Sequence, residues 1–188
     1  GEGASGVVHR AILRGLEHPQ EREVALKVFK AGVTSDGRAM DEEAATLAAG
    51  THPHLVPILG SLCDHPQGLD GLVFELIPSG YRSLAKPPSF ESCTRDVYPE
   101  GARPSSEAAK AILAGMHSLL SHLHGRGICH GDFYAHNILV DDRGHALLGD
   151  FGAAGFLDDL PARQAMRMID CENRALAILR EELFGPED

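Results

Sequence analysis

The chain has 188 residues, 43% of them hydrophobic, which is enough to bury a sizeable core and too apolar for a disordered segment. Its 17 basic and 27 acidic residues leave a net charge of −10, which argues against non-specific binding to nucleic acid or an anionic membrane. No apolar run approaches the roughly 18 residues of a membrane span, and the cysteines at 63, 93, 129 and 171 form no C-x-x-C pair, so a reducing, cytoplasmic compartment is expected.

Val7–Leu13 reads as a short strand, and the polar stretch Arg14–Arg22, with Gly15 and Pro19, as a turn. Glu23–Lys30 alternates, with Val24, Leu26 and Val28 facing one way and Ala25, Lys27 and Phe29 the other, so the two segments make a hairpin. Asp41–Ala49, rich in Ala and Glu, reads as a helix stopped by Gly50. Strands are expected at Leu55–Leu59 and Gly71–Ile77, the second ended by Pro78-Ser79-Gly80. The proline-rich stretch 84–106 reads as a long irregular loop. Ser105–Gly127 is the clearest helix: Ile112, Met116, Leu119, Leu120 and Leu123 share one face, and Ser105 is placed to cap it. Ile138–Val140 and Ala146–Leu148 are short strands around the turn Asp141-Asp142-Arg143-Gly144. A last helix is expected over Asp170–Phe184, stopped by Gly185-Pro186. Strands come first and helices follow, which predicts a single α+β domain of two segregated lobes, a β-rich one over 1–77 and a helical one over 78–188.

Three motifs carry chemistry. Gly1-x-Gly3-x-x-Gly6-x-Val8 lets the backbone approach phosphates with N–H groups aimed at the anion. These glycines open a strand, whereas in dinucleotide-binding folds they open a helix. An ordinary hairpin with glycines is the plain alternative. In Val24-Ala25-Leu26-Lys27 the lysine sits on an inward strand face, a costly place unless it is paired. Its carboxylate partner is expected on the next helix, at Glu42 or Glu43. An edge-strand lysine with its head in water is the competing reading. The third motif is His130-Gly131-Asp132-Phe133-Tyr134-Ala135-His136-Asn137, with Asp150-Phe151-Gly152 thirteen residues beyond. Phosphoryl transfer needs a base for a hydroxyl proton and oxygen ligands for Mg²⁺. Asp132 suits the first need, and Asn137 and Asp150 the second.

In this order, G-x-G-x-x-G-x-V, V-A-x-K, H-x-D-x-x-x-x-N and D-F-G resemble the protein-kinase fold over Gly1 to about Gly152. The resemblance implies a two-lobed α+β fold whose helical C-terminal lobe is shortened. It also implies ATP and Mg²⁺ as nucleotide and metal, and a protein substrate whose identity stays open. Gly1, Gly3 and Gly6 would cover the phosphates. Lys27 would hold them while paired to Glu43, the glutamate ten residues before Pro53. Val8, Ala25 and Leu139 would enclose the adenine, Phe74 would be the gatekeeper, and the backbone of Glu75 and Ile77 would bond the base. Asn137 and Asp150 would take the metal, with Asp132 at the acceptor hydroxyl. Val33–Gly37 and Ser92–Tyr98 resemble kinase domains of bacterial leucine-rich-repeat protein kinases. Residue 1 already lies inside a motif, so the chain reads as a piece of a longer protein, with such repeats expected upstream of Gly1.

The chain departs from that family in several places. Residue 131 is Gly where most protein kinases carry Arg, Tyr134 replaces the lysine typical of serine/threonine kinases, and no A-P-E motif follows Gly152. About seventeen residues, Ala153–Ile169, are expected to lead straight into the last helix, where Glu172 stands in for the aspartate that anchors the catalytic loop. His-Gly-Asp also occurs in aminoglycoside- and choline-type kinases. A small-molecule phosphotransferase and a non-catalytic nucleotide-binding module therefore stand beside the protein-kinase reading.

Overall fold

A computed structural model describes residues 5–14, 21–30, 38–99, 101 and 103–185. Gly1, Gly3 and the stretch Val33–Gly37 lie outside these residues, as does most of the turn expected over Arg14–Arg22. Strands β1 (Gly6–Arg14) and β2 (Glu21–Phe29) form the expected antiparallel hairpin, with Val8 opposite Lys27. Helix α1 (Ala39–Ala49) follows, then β3 (Ile58–Leu62) and β4 (Gly71–Glu75). The four strands make one antiparallel sheet in the order β1-β2-β4-β3.

The β3 strand starts three residues later than expected. Pro57 has no N–H to give a ladder and contributes only its carbonyl, which accepts from Glu75 N–H at 2.9 Å, so the regular strand begins after it. Leu55 is used elsewhere. It is buried and bridges in parallel to Leu148, with Val56 N–H donating to Leu148 O at 3.0 Å and Leu148 N–H to His54 O at 2.8 Å. The first half of the chain is thereby laced to the second.

The second half is built on α2 (Ser106–Gly125). The Ser105 hydroxyl accepts from Ala108 N–H at 3.2 Å, the cap expected from its position. Ile112, Met116, Leu119, Leu120 and Leu123 are each at most 2% exposed. At about 1.5–3 kcal/mol per buried apolar side chain, this face alone is enough to place the helix. Around it lie β5 (Arg82–Ser83), β6 (Ile128–Cys129), β7 (Ile138–Val140), β8 (Ala146–Leu148) and β9 (Gly155–Phe156). β7 and β8 form the expected hairpin, which β5 extends, while β9 pairs with β6.

The last helix, α3 (Ala162–Phe184), begins eight residues before its expected start. Its first turns, Ala162–Ile169, bury no residue fully, although Ala165, Met168 and Ile169 recur at helical spacing and are half-buried, and Pro161 at the N-cap marks their start. Between Gly152 and this helix lie the nine residues 153–161, in place of the seventeen expected. The result is the α+β, two-lobed arrangement, with a β-rich first half and a small helical second half. No helix among the described residues is long and apolar enough to cross a membrane.

The cleft between sheet and helices

A cleft of about 300 Å³ opens where the sheet meets the helical half, within the size range of small-ligand sites. Val8, Ala25, Phe74, Glu75, Ile77 and Leu139 all line it, so the six residues expected around a nucleotide base face one space. Gly6 lies at its mouth. A Cβ there would come within 2.6 Å of Val28 O, so β1 can lie this close to β2 only with glycine.

Lys27 is buried at the wall of the cleft, and its ammonium pairs with two carboxylates. It donates to Asp150 Oδ1 at 2.9 Å and to Glu42 Oε1. Burial pushes the Lys27 pKa down, but the charges of Asp150 and Glu42 outweigh it, and the net shift is upward. The lysine is therefore a fixed cation. Its helix partner is Glu42, which corrects the expectation of Glu43. On α1 the residues Glu42, Ala45, Thr46 and Ala49 recur at helical spacing and are all buried, whereas Glu43 is one step further round and half-buried. The alanine stripe was the signal in the sequence that selects Glu42.

The two ends of the β7–β8 hairpin bring the third motif together. Gly149 N–H donates to Asn137 O at 3.4 Å, and Asn137 and Asp150 both line the cleft. The Asn137 amide donates from Nδ2 to Asp132 Oδ2 at 2.8 Å and to Asp132 O at 2.9 Å. Its amide oxygen is thus the atom left for a cation. Asp150 has φ +55°, a left-handed conformation that Asp tolerates, and its side chain is 48% exposed. Phe151, by contrast, is buried edge-on to the His130 ring, 4.9 Å between centroids, and His130 Nε2 bonds Gly149 O at 2.8 Å. One carboxylate and one amide oxygen fit Mg²⁺, which takes few protein ligands and shares the rest with phosphates and water. Among the described residues, no group of three or more His, Cys, Asp or Glu side chains gathers as an all-protein metal cage.

Three further groups hold the loop from Gly131 to Asn137. Gly131 N–H donates to Glu172 Oε1 at 2.8 Å, and Glu172 Oε2 bonds His124 Nε2 at 2.6 Å, so the role expected for Glu172 matches its geometry. Arg95 and Asp96 had drawn no role from their sequence. They lie in the proline-rich stretch, yet Asp96 is buried against the loop. Nearby, the Tyr98 hydroxyl donates to Glu182 Oε2 at 3.2 Å. Burial, then Glu182, pushes the Tyr98 phenol well above its usual range. Burial, then the charge of Asp96, also raises the Glu182 carboxyl, against the pull of the Tyr98 bond.

A group whose folded pKa is raised in this way costs stability once it is ionised. That cost is absent below the ordinary carboxylate pKa and is complete above the raised one. Glu182→Gln keeps an acceptor for Tyr98 and removes the charge. Its melting temperature is expected to exceed wild type at pH 7, with the gap closing as the pH falls below the ordinary carboxylate range. A gap independent of pH would refute the assignment.

Residues 1–171 match the family model described as the protein kinase domain. The chain is 30% identical over 174 residues to the proline-rich receptor-like protein kinase PERK1 of Arabidopsis thaliana, covering 90% of this chain and 24% of that protein. It is 32% identical over 178 residues to the serine/threonine-protein kinase PknF of Mycobacterium tuberculosis, covering 89% and 33%. It is 34% identical over 155 residues to the nodulation receptor kinase of Pisum sativum, covering 81% and 15%. The chain thus spans a third or less of the length of each of these relatives. With the domain model matching most of its residues and the motifs converging on one cleft, the chain belongs to the protein kinase domain family, a family of phosphotransferases.

Proposed function

We propose that the chain is an ATP- and Mg²⁺-dependent protein kinase that transfers the γ-phosphate of ATP to a protein hydroxyl, serine or threonine in preference to tyrosine. The observation that carries this reading is Lys27, held between Glu42 and Asp150 at the wall of the cleft. Two carboxylates from separate parts of the chain converge there on one lysine ammonium, which supports its role as the cation that holds phosphate. The serine/threonine preference is supported by the likeness to the mycobacterial serine/threonine-protein kinase. A cytoplasmic setting belongs to the same proposal, supported by four free cysteine thiols.

In this reading Val8, Ala25 and Leu139 enclose the adenine behind Phe74, and the main chain of Glu75 and Ile77 bonds it. Gly1, Gly3 and Gly6 supply backbone N–H groups over the phosphates. Lys27 donates to the α- and β-phosphates. Asn137 and Asp150 would hold Mg²⁺, whose chemistry is to neutralise charge on the phosphate oxygens. Asp132 accepts the proton of the acceptor hydroxyl as that oxygen bonds to the γ-phosphorus. The bond from phosphorus to the β-bridging oxygen breaks, and ADP leaves.

The test is transfer of labelled phosphate from ATP·Mg²⁺ to the chain itself and to a panel of protein, aminoglycoside and choline acceptors, run beside Lys27→Met. Transfer to protein alone supports the reading. Transfer to a small molecule assigns the rival chemistry, and equal background from wild type and Lys27→Met with ATP still bound leaves a nucleotide-binding module. The two glutamates give a sharper comparison. Glu42→Gln is expected to lower kcat/KM by roughly 10²-fold by misplacing Lys27, while Glu43→Gln stays within about threefold of wild type, as an uninvolved side chain should. The reverse order of effects would restore Glu43.

A further inference from the structure

The segment that enters α2 is irregular and proline-rich, and its residues Arg95 and Asp96 precede Asp132 by more than thirty positions. Two adjacent residues in it, Arg95 and Asp96, reach every residue between Asp132 and Asn137. Arg95 Nη2 donates to Phe133 O at 3.0 Å, and its guanidinium lies over the Tyr134 ring, 4.5 Å from the centroid. Asp96 Oδ2 accepts from Ala135 N–H at 3.0 Å, and Oδ1 accepts from His136 N–H at 3.0 Å. The same Oδ1 bonds His136 Nδ1 at 2.6 Å.

The local geometry explains why such a brace is needed. Ala135–Asn137 is one turn of 3₁₀ helix, and this turn places Asn137 beside Asp132. The leading amides of such a turn have no partner within it. The residue in the capping position, Tyr134, makes no side-chain cap bond. Asp96 supplies the missing acceptor from outside, and its side chain is only 1% exposed. Water cannot substitute for it, and a carboxylate bonded to N–H groups forms the stronger, charge-assisted class of bond. The other side of the loop is tied by Gly131 N–H to Glu172. The loop is therefore clamped from two separate elements, and the Arg95–Asp96 clamp bears on the stretch that sets the Asp132-to-Asn137 spacing.

We propose that Asp96, assisted by Arg95, is a positioning residue of the phosphotransfer site: its three bonds to Ala135 and His136 hold Asp132 and Asn137 in register. The inference rests on the roles given to Asp132 and Asn137 under the proposed function. It makes the proline-rich stretch part of the machinery of the reaction.

The experiment uses the whole chain with Asp96→Asn, which keeps the shape and places an amide N–H against donors. Initial rates with ATP·Mg²⁺, hydrogen exchange of the Ala135 and His136 amides, and melting curves are read together. The expected result is a kcat lower by on the order of 10²-fold, as for a misplacement of about 1 Å, with the KM for ATP unchanged. Exchange at those two amides should be faster, and the melt should still be cooperative. A wild-type kcat overturns the inference even if the amides exchange faster. So does a parallel loss of kcat, ATP affinity and melting temperature, which would mean bulk destabilisation alone. If Asp96→Asn does not fold, Asp96→Glu decides by the same readings, because it keeps the buried charge and shifts the carboxylate off the Ala135 and His136 amides by one methylene. A lowered kcat at constant KM then supports the clamp, and a wild-type kcat overturns it. A wild-type chain no more active than Asp132→Ala sinks the proposed function itself and the inference with it.

Discussion

Asp150→Asn is expected to lower the rate of phosphate transfer by on the order of 10³-fold or more, roughly 4 kcal/mol of transition-state stabilisation, while the fold survives. Asn is the informative replacement. Residue 150 has φ +55°, and Asn tolerates the left-handed region, whereas Ala would add strain unrelated to chemistry. The side chain is half exposed and faces the cleft, so little packing is lost. Lys27 keeps Glu42 as a partner, so no buried charge is stranded. Rate and stability should separate: the rate of labelled-ATP turnover collapses and the melting temperature barely moves. Asp150→Asn turnover within tenfold of wild type would remove Asp150 from its assigned role.

Gly131→Ala is expected to do the opposite, striking stability first. Gly131 has φ +78°, and a Cβ there would come within 2.1 Å of Ala153 O, far inside contact distance. Left-handed strain in a non-glycine residue costs about 1–3 kcal/mol, and the overlap is with backbone, which cannot rotate away. A loss of about 3 kcal/mol, or roughly 6–12 °C in melting temperature for a chain of this size, is the expected reading. Gly131→Arg, which would restore the residue most protein kinases carry, should be no better tolerated. A melting temperature within about 2 °C of wild type would mean that Ala153 yields easily and that the glycine is incidental. The departure from the family at this position thus has a local physical cause, since the Ala153 carbonyl fills the space that an arginine stem would need.

Much of the fold is legible in the sequence. The β1–β2 hairpin, α2 with its Ser105 cap and the β7–β8 hairpin follow from alternation, helical spacing and turn residues, all of which act over a few positions. Boundaries failed where the deciding interaction lay elsewhere in the chain. Leu55 looked like part of a strand with Leu59, yet its partner is Leu148. The start of α3 holds only the half-buried Ala165, Met168 and Ile169 on its inner face, between exposed Arg163, Gln164, Met166 and Arg167, and the two-residue strands β5, β6 and β9 are too short to carry a pattern.

By itself the sequence determined the chemical inventory: a lysine on an inward strand face, an Asp and an Asn five apart, and a second Asp thirteen beyond. Spacing along a chain specifies these because the loop and hairpin that present them are local. Only the tertiary structure decided which carboxylate meets Lys27, because Glu42 and Glu43 differ by one step around a helix and packing chooses the face. It also decided why Gly131 is glycine and what braces the loop from Gly131 to Asn137. Glu172 was expected there from the family resemblance, but Ala153, Arg95 and Asp96 come from segments whose positions relative to that loop are set by burial, which no local pattern encodes.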